Sequence, residues 1–166
     1  MSKVRVQTWD VTQLNGMDAL LLHDVLRLRV DVFVVEQQCA YAELDGLDAE
    51  ATHVVGRTAE GGLVAYCRIL PPQDGGLPHI GRVVVAAQHR GRGHGRELMH
   101  QALAAVRLHY GSARCEMAAQ AHLQKFYEEF GFMVRGKAYL LDGIPHVDMV
   151  YAGPMDLQAS VDHLGK

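Results

Sequence analysis

Residues 83–99 read VVVAAQHRGRGHGRELM. A run of valines breaks into a loop dense in glycine and arginine, and from Glu97 the letters take up a helical pattern to about His109. Backbone amides freed of side chains, at the positive end of a helix dipole and beside guanidinium groups, form a receptor for a phosphorylated ligand. Two other glycine loops compete for this reading. A nucleoside-triphosphatase loop needs Gly, four residues and then Gly-Lys-Ser/Thr, and no such lysine follows. A dinucleotide fingerprint is matched only weakly: Gly91, Gly93 and Gly95 read GxGxG, and no acidic residue suits a ribose about 20 positions later. QxxGxG remains, met by Gln88, Gly91 and Gly93.

Composition bounds the rest. With 166 residues, 49% of them hydrophobic, the chain fits one domain with its own core. That domain is expected over residues 1–153, with residues 154–166 as a tail. Lys plus Arg is 16 against 19 for Asp plus Glu, so a net charge of -3 offers no global attraction to nucleic acid or an anionic membrane, and neither is an expected partner. Cys39, Cys67 and Cys115 form no CxxC, which argues against a disulfide framework and a zinc knuckle and for a reducing compartment. The start MSKVRVQTWD lacks an apolar signal segment and no run of 18 apolar residues occurs, so the expected location is cytoplasmic. Ten histidines are scattered without HxH or HExxH spacing, and no metal is expected.

Periodicity orders the elements. Lys3 to Trp9 alternates like a strand with one buried face. Leu21, Leu22, Val25, Leu26, Arg29, Val30 and Phe33 recur at helical spacing, predicting a helix capped by Asn15 or Asp18 and running to about Gln37. Gln38 to Ala51 is an acidic, aperiodic loop. His53–Thr58 and Leu63–Leu70 read as a hairpin through Glu60-Gly61-Gly62, followed by a strand over Ile80–Ala86. Beyond the glycine loop and its helix come a strand over Ala113–Ala119, a short helix over Leu123–Phe130, and strand segments at Phe132–Val134, Ala138–Leu141 and His146–Tyr151, with a turn at Asp142-Gly143. This order is neither pure alternation nor segregated runs. It predicts an α+β fold, a mixed, mostly antiparallel sheet flanked by helices.

The QxxGxG loop between a strand and a helix resembles the GCN5-related N-acetyltransferase (GNAT) superfamily. The segments LRLRVDVFVVEQQCAYAELDGLDAEATHVVG, AYCRILPP, IGRVVV, AQAHLQKFYEEFGF and DGIPHVDMVY, in that order, are similar to its ElaA-like branch from about residue 20 to 151. The resemblance implies a sheet in which the valine strand splays from its neighbour, acetyl-coenzyme A as cosubstrate, and transfer of the acetyl group to a primary amine.

Transfer from a thioester to an amine needs a deprotonated amine, a stabilised carbonyl oxygen and a proton donor for the departing thiolate. The resemblance assigns the oxyanion and pantetheine contacts to the backbone of Val83, Val84 and Val85. It assigns the pyrophosphate to the amides of Arg90, Gly91, Arg92, Gly93, His94, Gly95 and Arg96, with Arg90, Arg92 and Arg96 adding charge. Tyr127 is the implied proton donor to sulfur, although its spacing in LQKFYEEFGF also suits simple packing. The base stays open among Glu36, Glu43, Asp45, Glu116, His79 and His146. Glu36, at the end of an apolar helix, is the substrate-side candidate because it would meet a cationic amine. The acidic stretch from Glu43 to Glu50 also hints at a cationic acceptor. Gln120 stands where the superfamily often has an asparagine against the pantetheine arm, and a helix-capping role for it is equally consistent.

The resulting expectation is an N-acetyltransferase acting directly on a small-molecule or peptide/protein amine. Its rivals are a non-catalytic acyl-CoA-binding sensor of the same fold and an enzyme for longer acyl chains. A homodimer through an exposed edge of the C-terminal hairpin is a further expectation.

Overall fold

The structure, a computed structural model, describes residues 5–153. Seven strands form one sheet in the order β1-β2-β3-β4-β5-β7-β6. They are β1 (Thr8–Gln13), β2 (Thr52–Arg57), β3 (Leu63–Leu70), β4 (His79–Val85), β5 (Cys115–Gln120), β6 (Met133–Leu141) and β7 (Ile144–Tyr151). Only β4 and β5 run parallel; every other pair is antiparallel, as the mixed α+β reading requires.

Helix α1 (Ala19–Arg29) starts at Asp18, whose carboxylate accepts from Leu21 N at 2.8 Å. Of the two caps open in the sequence, Asp18 is the one used; Asn15 lies in a short 3-10 turn, Leu14–Gly16. The helix does not reach Gln37 in α form. Val30–Glu36 (VDVFVVE) widens into π geometry, with Gln37 N bonding Val32 O at 3.1 Å and Cys39 N bonding Val34 O at 3.0 Å. Four β-branched valines in seven residues crowd an α turn, and such widened turns recur at functional sites.

Helix α2 (His94–Tyr110) opens and closes on left-handed glycines, Gly93 at φ 85° and Gly111 at φ 71°. It presents Leu98, Met99, Ala102, Ala105 and Val106 to the sheet, the spacing of one helical face. These pack on Val54, Ala65, Cys67 and Ile80. Val55, Tyr66 and Val84 point the other way, against Val25 and Val32 of the first helix. The central strands are thus buried on both faces, which explains why β3 reads as an apolar run interrupted only by Arg68. Helix α3 (Gln124–Glu128) bridges β5 to β6.

The first strand departs from its expected bounds. It occupies Thr8–Gln13 rather than Lys3–Trp9, because pairing with β2 runs from Thr8↔Arg57 to Gln13↔Thr52. Lys3 and the following valine lie outside the described residues, as does the expected tail. The segments Phe132–Val134 and Ala138–Leu141 join into one strand, β6, whose register with β7 shifts between Arg135 and Tyr139. That irregularity breaks the alternation that would have marked a single strand.

Candidate active site

Strands β4 and β5 share a single bridge, His79↔Glu116, reinforced by Glu116 N to Pro78 O at 2.9 Å. Beyond it they part. The gap is a cavity of about 590 Å³ bounded by β4 from His79 to Val85 and by β5 from Met117 to Gln120. Its remaining walls come from the π turn, from α3 and from the β6–β7 turn.

A bulge in β4 faces this gap. Arg68 pairs with Gly81 but Tyr66 with Val84, so one residue of β4 is extra, and Arg82 takes a left-handed φ of 53°. The register beyond the bulge is therefore offset, and Val83, Val84 and Val85 all line the cavity.

The upper end of the cavity is the glycine-rich turn. Gly91 and Gly93 have φ of 74° and 85°, and a Cβ on either would meet nothing within 4 Å. These glycines are needed for backbone conformation. Hydrogen bonding within α2 begins with Arg96 N to Gly93 O at 3.1 Å, and a helix leaves its first amides without internal partners. Gly95 lines the cavity and Arg96 pairs with Glu129. His94 is buried, and its Nε2, like Nδ1 of nearby His89, has no hydrogen-bond partner among the described residues. Open amides and glycine turns fit an anionic ligand.

Arg90 folds back from this turn. Its Nε donates to Val85 O at 3.1 Å, and its two terminal nitrogens grip Glu36 at 2.6 and 2.8 Å. The hydrogen bond from Arg90 lowers the Glu36 pKa. Both residues line the cavity, so the expected phosphate cation and the expected amine-binding carboxylate occupy each other. Arg92 is exposed and makes no ion pair among the described residues.

Tyr127 lines the cavity from α3. Its ring packs edge-on against Phe126 and Phe132, and burial raises the hydroxyl pKa, keeping the group protonated at neutral pH. Gln120 does not cap the following turn; its amide donates to Gln37 Oε1 at 3.0 Å.

The acidic loop differs most from expectation. Glu43, Asp45 and Asp48 are held by three arginines of the fold rather than left for a cationic ligand. Arg29, fully buried in α1, donates to Glu43 at 2.6 Å and to Asp48 at 2.8 Å. Arg68 holds Asp45 and Asp48, and Arg82 donates to Glu43 at 2.9 Å. A hydrogen bond from Arg68 keeps the Asp45 carboxyl well below the usual carboxylate range. Sequence reasoning passed over these arginines. For Arg29 and Arg68 the one signal was a charge at an inward position of an apolar pattern, in LRLRV and AYCRIL.

Comparison with known proteins follows the same outline. Residues 21–152 match the model of the Acetyltransferase (GNAT) domain. A UPF0039 protein of Schizosaccharomyces pombe is 44% identical over 136 residues, covering 81% of this chain and 90% of that protein. The crystal structure of an acyl-CoA N-acyltransferase from Pseudomonas aeruginosa superposes with a TM-score of 0.81 at 38% identity, over 87% of this chain and 99% of that one. Escherichia coli ElaA superposes with a TM-score of 0.79 at 38% identity, over 87% and 98%. The match spans the fold from α1 to the last strand and takes in the parted strands and the glycine turn alike, so the chain belongs to the GNAT acetyltransferase domain family.

Proposed function

We propose that this chain is an N-acetyltransferase that moves the acetyl group of acetyl-coenzyme A directly to the primary amine of a small molecule or of a peptide or protein. The observation that carries this reading is the gap between β4 and β5, which opens past one bridge and ends at the left-handed glycine turn. The Pseudomonas aeruginosa relative is named an acyl-CoA N-acyltransferase, which supports the same class of donor.

The amides of residues 90–96 would hold the pyrophosphate, using the positive end of α2. Main-chain groups of Val83–Val85, displaced by the bulge, would hold the pantetheine arm and stabilise the carbonyl oxygen. The bound thioester supplies the activated acyl group. Tyr127 would donate its hydroxyl proton to the departing sulfur. Arg90, drawn to the pyrophosphate, would release Glu36 to meet the cationic amine at the cavity mouth. Three buried, unpaired cysteines suit a reducing compartment, and we place the protein in the cytoplasm.

Isothermal titration with coenzyme A, followed by release of free thiol from acetyl-coenzyme A over a panel of primary amines, tests the proposal. Tyr127→Phe should keep coenzyme affinity within about twofold and slow turnover by about 10² to 10⁴. Absence of coenzyme binding by the folded chain would refute the reading. Binding without turnover on any amine would point to a sensor of the same fold.

A further inference from the structure

The transfer proposed above leaves one role unfilled, that of the group that takes a proton from the incoming amine. Four of the carboxylates near the cavity are already engaged. Glu43 is shared by Arg29 and Arg82, and Asp45 is held by Arg68. Glu116 receives Arg135 at 3.0 Å, and Glu36 receives Arg90. Three histidines line the cavity wall, His79, His122 and His146, and of these His122 is exposed.

We propose that His146 is the general base, accepting the amine proton on Nε2. Its Nδ1 lies 2.7 Å from Ile144 O. A carbonyl oxygen carries no proton, so Nδ1 must be the donor, and in the neutral ring the free lone pair is then on Nε2. The residue is 8% exposed and lines the cavity, and Nε2 has no hydrogen-bond partner among the described residues. The Tyr139 ring stacks on the imidazole at 6.2 Å and 26°, and its hydroxyl is committed to Asp148 at 2.6 Å. Backbone and aromatic contacts thus fix both the tautomer and the plane of the ring, as a general base requires. Other titratable groups on the same part of the wall are Cys39, His122 and Asp142. His79 is also kept neutral by burial, but it stands at the closed vertex of the gap and no hydrogen bond among the described residues orients its ring.

The proton balance is complete. Nε2 takes one proton from R–NH3+, leaving imidazolium and a neutral amine. The amine lone pair bonds the thioester carbonyl carbon, and the C–S bond breaks with its electron pair going to sulfur. Of the two protons left on nitrogen, one stays in the amide; the other passes through water to Tyr127 as that hydroxyl protonates sulfur. The imidazolium returns its proton to solvent, so each transfer releases one proton.

The test uses the full chain and the variants His146→Asn, His146→Ala and His79→Gln. Asn retains a side-chain N–H for Ile144 O but has no basic nitrogen. Long-range 1H–15N spectra at pH 8, with the His146 signals assigned by their loss in His146→Asn, should show a protonated Nδ1 and a bare Nε2. The opposite tautomer would overturn the assignment without any need of an acceptor. In thiol release with 1,5-diaminopentane, a lysine-containing peptide and a peptide α-amine, His146→Asn should lower kcat about 100-fold or more with coenzyme affinity unchanged. It should also lose the acidic limb of kcat/KM, and free imidazole should restore part of the His146→Ala activity. Wild-type rates and pH profile in His146→Asn would overturn the proposal, as would a full loss confined to His79→Gln. A wild-type chain that binds coenzyme A but turns over no amine defeats the transfer reading itself, and the base with it.

Discussion

Arg82 adopts a φ of 53°, a conformation that costs a non-glycine residue about 1–3 kcal/mol. The strain is offset locally. Its guanidinium donates to Glu43 at 2.9 Å and lies 5.5 Å from the Tyr41 ring, while Tyr41 in turn donates to Glu43. Glu43 is therefore the common partner of the bulge in β4 and of the buried Arg29 in α1. Removing one member of a buried charge pair leaves the other without compensation and is far costlier than losing a surface pair. Glu43→Gln, which leaves the fully buried Arg29 with Asp48 as its remaining carboxylate, should destabilise the fold by roughly 3 kcal/mol or more in urea unfolding. Asp10→Asn, at the half-exposed Arg57 pair, should cost under about 1 kcal/mol. Equal losses in the two variants would show that the buried network contributes no more than a surface pair. The candidate residues on the cavity wall were named through the family resemblance, which short contiguous motifs carry: Tyr127 lies in LQKFYEEFGF and Val83–Val85 in IGRVVV. The three arginines were not legible, because their partners lie 14 to 39 residues away in an aperiodic loop.

At the level of elements, what could be read depended on whether an element's bounds are set by its own letters or by a partner. The body of α2 was readable from its apolar face, but its first turn was not. The helix begins at His94, three residues before the expected Glu97, because glycine-rich letters read as loop until Gly93 is seen to be its left-handed cap. The first strand was misplaced because the register with β2 determines its ends. The π turn was invisible in the valine pattern, since an extra residue per turn leaves no mark on composition. The cap also has a testable consequence. An alanine at Gly93 meets no atom within 4 Å, so Gly93→Ala is penalised through φ alone, by about 1–2 kcal/mol. Relief of that strain turns the first amides of α2 away from the cavity. Coenzyme A affinity should then fall about tenfold, the equivalent of ~1.4 kcal/mol, in isothermal titration. Gly95→Ala is the informative contrast. Gly95 needs no left-handed φ, and its Cβ would sit at ordinary distance, 3.5 Å, from Phe126, so the melting temperature should hold while the added methyl narrows the ligand cavity. If Gly93→Ala bound coenzyme A as tightly as the wild type, the turn would have no part in holding it.

Across the whole molecule, a sheet packed on both faces carries its ionisable groups in places where folding changes their proton affinity. His53 is 1% exposed, and its Nε2 donates to Asp48 O at 2.9 Å, so Nδ1 must accept from Tyr66 Oη at 2.6 Å. Protonation at Nδ1 would reverse this bond, with the Tyr66 hydroxyl accepting instead of donating. Burial lowers the pKa of His53, as it does for His79 and His89. The unfolded chain takes up these protons near pH 6.5, whereas the folded chain does so only at lower pH. Between those values the unfolded state binds more protons, so stability falls as the medium becomes more acidic. Asp45 acts in the same direction at lower pH. The hydrogen bond from Arg68 depresses its pKa, so its contribution is present above about pH 3.9 and is lost as pH falls below that value. Urea midpoints should therefore be level above about pH 7, decline from about pH 6.5 downward and fall more steeply below about pH 4. His53→Gln should flatten the decline between pH 7 and 5, and Asp45→Asn the decline below pH 4. Midpoints that rise toward pH 5 would reverse the sign required by the lowered pKa values of His53, His79 and His89, and would mean that the His53 imidazole is charged inside the fold.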